Sequence, residues 1–197
     1  MGKIFYLMGK SSSGKDTIYK DLVSDEGLRL KTIVPYTTRP IREGETDGVE
    51  YYFSGEEELE RLLADGKIIE LRAYNTVHGV WKYFTVNDEQ IRLAEYNYAV
   101  IGTLESYEKM RDYFGAGRVI PIYIEVEDGV RLQRALDRER RQKEPKYAEM
   151  CRRFLADSED FSEEKLEKLG IRNRFENREL PECINHIKTF ISKEIMI

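Results

Sequence analysis

Ile4-Phe5-Tyr6-Leu7-Met8 is an unbroken apolar run that stops at Gly9. A run of this length closed by a glycine predicts a strand buried on both faces. A loop of small residues follows, and then Ile18 and Leu22 stand four apart, the spacing of one helix face. From Thr32 to Thr85 the texture changes to Tyr, Thr and Gly in short strand-like pieces. One helix at about Gly55 to Ala64 interrupts them, and Ser54 and Glu57 have the spacing of a capping box for it. Beyond Thr85 the pattern predicts a helix near Asp88 to Glu95, a strand at Tyr98 to Ile101, a helix carrying Tyr107, Met110 and Phe114, and a strand at Val119 to Ile124. Two charged helices come next, separated near Lys143-Glu144-Pro145, because proline suits a helix start better than its interior. The acidic stretch Asp157 to Glu167 leads to a last strand at about Ile171 to Phe175. Pro181 then opens a helix with Ile184, Ile187 and Ile191 on one face. Strands alternating with helices imply an α/β fold, a parallel sheet covered on both sides.

Composition narrows this further. The chain has 197 residues, 41% of them hydrophobic, enough for one substantial core and a small inserted subdomain. With 37 acids against 32 bases the molecule is mildly acidic, which argues against a general nucleic-acid binder. The charge is uneven, since nine Lys or Arg and only four acids fall between Arg131 and Arg153, a stretch able to grip an anion. Two cysteines and two histidines without ligand spacing argue against a zinc site. The apolar start is too short for a signal segment or a membrane span, and Tyr6 stands where a myristoylation signal needs Ser or Thr. A cytoplasmic protein with no membrane partner is expected.

Gly9-Lys10-Ser11-Ser12-Ser13-Gly14-Lys15 fits the phosphate-loop pattern G-x-x-x-x-G-K, between a predicted strand and a predicted helix. The two glycines let consecutive backbone N–H groups turn toward an anion, the helix start adds its positive dipole end, and Lys15 adds a point charge. The expected ligand is a nucleoside triphosphate with Mg2+. Asp16 occupies the position where a hydroxyl often meets the metal, which leaves Thr17 as the candidate metal ligand.

Thr37-Thr38-Arg39-Pro40-Ile41-Arg42-Glu43-Gly44-Glu45, then Gly48 and Tyr51-Tyr52-Phe53, resembles the acceptor motif of guanylate kinases. Two arginines three apart on a tight loop can clasp one phosphate dianion with planar forks. The resemblance implies that Arg39, Arg42 and Tyr51 hold the phosphate of GMP and that Glu70 accepts from the guanine edge. It further implies that the triphosphate is ATP, that Tyr83 binds phosphate, that Thr85 reads the base, and that Asn177 contacts adenine. Two positions depart from that pattern. Pro35 replaces a serine, and Gly102-Thr103-Leu104-Glu105 replaces an Asp-x-x-G stretch, so Thr103 stands in for a base-reading aspartate. The hairpin between Glu70 and Tyr83 is longer than the family's and carries His78 and Trp81.

The basic double helix resembles the family's lid, with Arg138 and Arg153 in its arginine positions beside the Arg152-Arg153 pair. With Lys15 and Arg39 these would neutralise charge on the transferred phosphoryl group. The implied architecture is a single domain with a three-layer P-loop NTPase core (about 1–34 and 86–197), an inserted acceptor-nucleotide subdomain (about 35–85) and a helical lid (about 131–157), as a monomer or homodimer. Two alternatives remain open: a ribose 1,5-bisphosphate phosphokinase, whose loop also resembles Gly-Lys-Asp, and a non-catalytic guanylate kinase-like binding module.

Overall fold

The computed structural model describes residues 2–76 and 79–196. The chain runs β1 (Ile4–Met8), α1 (Lys15–Ser24), β2 (Leu30–Thr32), β3 (Tyr36–Thr37), β4 (Tyr52–Phe53), α2 (Glu56–Ala64), β5 (Ile68–Thr76), β6 (Gly79–Val86), β7 (Asn97–Ile101), α3 (Leu104–Phe114), β8 (Val119–Glu125), α4 (Asp128–Arg140), α5 (Tyr147–Asp160), α6 (Glu163–Lys168), β9 (Arg174–Glu176) and α7 (Leu180–Met196).

β1 is the centre of a five-stranded sheet in the order β2-β7-β1-β8-β9, with every pair parallel. Its alternation serves two cores at once. Ile4, Tyr6 and Met8 pack with Leu104, Tyr107 and Met110 of α3 and with Phe161, Leu166 and Ile171. Phe5 and Leu7 face the other way, onto Ile18 and Leu22 of α1 and Cys183, Ile187 and Ile191 of α7. A parallel strand buried on both faces needs helices on both sides, so three layers follow from this one segment. The chain leaves β1 toward β2 on one side and later reaches β8 on the other. A crevice therefore opens beyond the carboxyl end of β1, the usual place for a ligand in an open α/β sheet.

The second sheet is small and mixed, in the order β4-β3-β6-β5. Its helix α2 buries Leu59 and Leu62 against Phe84 and Val86. β5 and β6 pair antiparallel with a register shift between Ile68 and Glu70. This bulge sets Glu70 directly opposite Thr85 while Ile69 joins the main core.

Three expectations fail for physical reasons. Residues 88–95 form turns, not a helix. The Tyr98 hydroxyl accepts from the Arg92 N–H (2.7 Å) and donates to the Gln90 carbonyl (2.8 Å), taking backbone groups that a helix would have paired internally. Ser54 and Glu57 make no capping box. Gly55 is the N-cap of α2 with no side-chain cap, while the Ser54 N–H donates to Thr37 O (2.9 Å) as an extension of the sheet. The last strand begins only at Arg174, because Ile171 closes the turn after α6 with its N–H on Leu166 O (2.9 Å). His78 lies outside the described residues. No helix among the described residues is long and apolar enough to cross a membrane.

Gly102, just past β7, is held to glycine by its neighbours. A Cβ there would collide with the Tyr6 hydroxyl and come 2.8 Å from Ser106 Oγ, and Tyr6 is 2% exposed and cannot step aside. Gly102→Ala is expected to destabilise the fold by about 1–3 kcal/mol in urea unfolding. Adding Tyr6→Phe should recover part of that loss, because the colliding oxygen is gone; an additive double variant would contradict the steric account.

Candidate active site

The loop between β1 and α1 is shaped by close approach. A Cβ on Gly9 would lie 2.7 Å from the Ile124 carbonyl, and Gly14 has φ +84 with Asn177 Nδ2 only 2.6 Å from where its Cβ would stand. Ser12 also takes a positive φ of 63. Asn177 follows β9, is 2% exposed, and donates from Nδ2 to the Ser13 carbonyl (2.8 Å). The Nδ2 group of Asn177, expected to contact adenine, is thus engaged beneath the loop. Ser12 Oγ, Ser13 Oγ and Asn177 Oδ1 are buried without a partner among the described residues. Buried orphan oxygens are uncommon, and two on the loop with a third on the residue beneath it mark the place as built to meet something more. Lys15 opens α1 with Asp16 3.6 Å away, and Asp16 and Thr17 are exposed.

Two lid helices clasp the same loop. Arg131, 1% exposed, donates from Nη1 to the Ser11 carbonyl (3.0 Å) and from Nε and Nη2 to Asp128 (3.0 and 2.7 Å), beneath the ring of Phe154. Asp157 of α5 accepts from the Ser11 N–H (2.7 Å) and lies 3.5 Å from Arg131. Lys10 reaches Asp128 at 3.3 Å. One residue of the loop, Ser11, is thus gripped at both its N–H and its carbonyl. The basic run in the sequence hid this, since only the partner across the fold distinguishes Arg131 from its exposed neighbours.

The small sheet carries a second cluster of cationic and aromatic side chains. Arg39 is 4% exposed and meets Glu45 with both terminal nitrogens (2.8 and 2.5 Å), and its guanidinium stacks over Tyr51 and Phe53 at 5.1 and 5.3 Å from the ring centres. Arg42 gives its backbone N–H to Glu45 (2.8 Å) and lays its guanidinium over Trp81 at 5.9 Å. Tyr83 meets Tyr51 edge-on at 5.6 Å. Glu70, 3% exposed, accepts from Thr85 (2.8 Å) and from Arg72 Nε (2.9 Å). The structure thus gathers Arg39, Arg42, Tyr51 and Tyr83 into one cluster and joins Glu70 to Thr85. Thr103 instead caps α3, with Oγ1 accepting from the Ser106 N–H (3.2 Å) and 3.0 Å from Ser106 Oγ. It also borders a cavity of about 440 Å³ shared with Tyr74 and Lys165.

The lid arginines are not drawn in. Arg138 is exposed, and Arg152 and Arg153 both pair with Glu149, whose carboxyl they pull down to about 2. Arg134 reaches back to the Asn177 carbonyl (3.4 Å). Among the described residues no group of three or more His, Cys, Asp or Glu is placed to hold a metal ion.

A loop of this shape at the end of the central parallel strand grips the phosphates of a nucleoside triphosphate. Fold and loop together define a P-loop nucleotide-binding protein with an arginine and tyrosine cluster on its small sheet. Comparison with known proteins narrows the class. The guanylate kinase family model matches residues 1–194, and the chain belongs to that family. It is 29% identical to the guanylate kinase of Mycoplasma mobile over 98% of this chain and 94% of that one. It is 42% identical to the guanylate kinase of Bacillus anthracis over 35% of this chain; that match spans about a third, 34%, of the relative's own length. The crystal structure of guanylate kinase from Anaplasma phagocytophilum superposes with a TM-score of 0.68 at 18% identity, covering 100% of this chain and 87% of that one, a likeness of fold.

Asp157→Ala removes the acceptor for Ser11 and a partner of Arg131. It should raise KM for ATP about tenfold, with KM for the acceptor unchanged and Asp157→Asn in between; equal losses at both substrates would mean that the clasp does not act on the loop. Glu45 is pulled from 4.5 to about 2, chiefly by its hydrogen bonds from Arg39. A lowered folded value means that the clasp contributes fully above about pH 4.5 and is lost as pH falls through about 2. A carbon-13 titration of the Glu45 carboxyl should place its midpoint well below 4.5, returning toward it in Arg39→Ala.

Proposed function

We propose that this chain transfers the γ-phosphate of ATP to GMP or dGMP, releasing ADP and GDP. The observation that carries this reading is the placement of two unlike anion sites about one strand. Ile69, the neighbour of Glu70, packs in the same core cluster as Tyr6 of β1, and the phosphate loop begins three residues after Tyr6 at Gly9. An acceptor whose base lies on Glu70 and Thr85, with its phosphate toward Arg39, Arg42, Tyr51 and Tyr83, is held close to the donor loop. Reactants placed in this way lose the entropic part of their barrier on binding.

Lys10 to Thr17 cradle the triphosphate, with Lys15 on the β and γ oxygens. Mg2+ binds through one or two protein oxygens plus substrate phosphates, so the exposed Asp16 and Thr17 at the start of α1 suffice for it without a dedicated cage. The ion neutralises charge on the phosphates when bound. Arg39 approaches from the acceptor side, and Arg138 and Arg153 swing in with the lid helices. The acceptor phosphate oxygen is already anionic, so no general base is needed. Thr103 is left out of base reading, because its hydroxyl is engaged in the cap of α3.

Purified protein with ATP and Mg2+ should produce ADP with GMP or dGMP and not with AMP, CMP, UMP or ribose 1,5-bisphosphate. Turnover with the ribose compound alone would reassign the acceptor site to a sugar phosphate. Silence across the panel from folded protein would reassign the chain to a binding role. Arg153→Ala should lower kcat at least a hundredfold with the melting temperature unchanged, since Arg153 is exposed and Arg152 still holds Glu149.

A further inference from the structure

Resting on the GMP reading, we propose that Arg72 is a specificity-determining residue for the acceptor base, donating from its free Nη1 to the 6-oxo oxygen of a guanine whose N1–H and N2–H are accepted by Glu70. Arg72 follows Glu70 by two along β5, so both side chains leave the same face of the sheet. Nε donates to one carboxylate oxygen at 2.9 Å, and Nη2 makes a longer contact of 3.3 Å to the other, which also accepts from Thr85 at 2.8 Å. Nη1 has no partner among the described residues. It is absent from the fully buried unpaired atoms, and the Arg72 side chain is 16% exposed, so Nη1 keeps some accessible surface. An arginine kept only to balance a buried carboxylate needs the two bonds it already makes, and here a further donor remains unengaged beside the base-reading acid.

The order of groups matches one nucleobase edge. Guanine presents N2–H, N1–H and O6 in sequence, two donors and then an acceptor. The Glu70–Arg72 pair presents two carboxylate oxygens and then a guanidinium donor. A carboxylate has about four lone-pair sites, and three are engaged here. The 3.3 Å contact is the weakest and yields when the base arrives, while Nε keeps hold of its oxygen and so fixes the angle of the fork. Adenine offers an amino group where O6 would be and meets the guanidinium donor against donor. Arg72 therefore enforces the 6-oxo group while Glu70 enforces N1–H and N2–H.

The test separates these duties with two analogues. 6-Thio-GMP keeps both N–H donors and replaces O6 by a weak sulfur acceptor; IMP keeps O6 and lacks the 2-amino group. Wild-type protein should prefer GMP over 6-thio-GMP by about tenfold in kcat/KM. In Arg72→Met that ratio should fall to near one, with the preference for GMP over IMP retained. Arg72→Lys keeps the charge beside Glu70 but loses the fork, and should give the same collapse; it serves if the methionine variant does not fold. Three results would overturn the inference: no wild-type discrimination against the thio compound, a ratio unmoved in the variants, or loss of the IMP discrimination instead, which would leave Arg72 only the task of holding Glu70. If wild-type protein neither binds nor phosphorylates GMP in the same assays, the GMP reading falls and this inference with it. Turnover of GMP with unmoved ratios removes the role of Arg72 alone.

Discussion

Where β1 ends, a strand paired on both edges and buried on both faces must release its backbone into a crevice, and the nucleotide-binding region depends on how that release is made. Its N–H groups cannot go unpaired in a dry interior. The loop beyond Met8 resolves this by curling beneath Ile124 and over Asn177, so closely that Gly9 and Gly14 leave no room for a side chain. The loop is not free to sag, because Asn177 holds the Ser13 carbonyl from below while Arg131 and Asp157 hold the Ser11 peptide from the lid side. An anion site made of backbone dipoles works only if it is rigid before the anion arrives. These three contacts from distant parts of the chain supply that rigidity.

A second regularity is that arginines near the two sites are already paired with carboxylates: Arg39 with Glu45, Arg72 with Glu70, Arg131 with Asp128 and Asp157. Buried pairs of this kind contribute little net stability, since desolvation offsets most of the attraction. They orient the guanidinium planes. Arg39, locked by Glu45 and flanked by two aromatic rings, needs no rotamer search when a phosphate arrives. The exposed Arg138 and Arg153 are the contrast, with no such lock into the site.

What could be read from residues alone follows the range of the interactions involved. β1, the loop and α1 are specified by neighbours in sequence, and so are the paired arginines of the 37–53 segment; all were legible. Residues 88–95 look helical locally, and only the Tyr98 hydroxyl, brought in by pairing of β7 with β1, takes away the backbone groups a helix needs. Ser54 looks like a cap until the sheet claims its N–H. Thr103 was read for a base contact alone, and the cap it forms with Ser106 is a local pattern that could also have been seen. Asn177 and Arg131 were beyond reach in principle, since each acquires its meaning from a loop more than a hundred residues away.

Arg72 shows the same limit at the scale of one residue. In the strand pattern of β5 it is one more half-buried charge, and nothing nearby in sequence distinguishes it from Lys82 on the facing strand. Its place is set by the bulge between Ile68 and Glu70, which shifts the pairing with β6 by one position. On the near side of the shift Ile69 turns into the main core; on the far side Glu70 meets Thr85, and Arg72 rises beside it on the same face. Carried on from Ile68 without the shift, the register would set Glu70 opposite Phe84 and take its carboxylate away from Thr85. The placement of Arg72 beside Glu70 is in this sense a property of strand register.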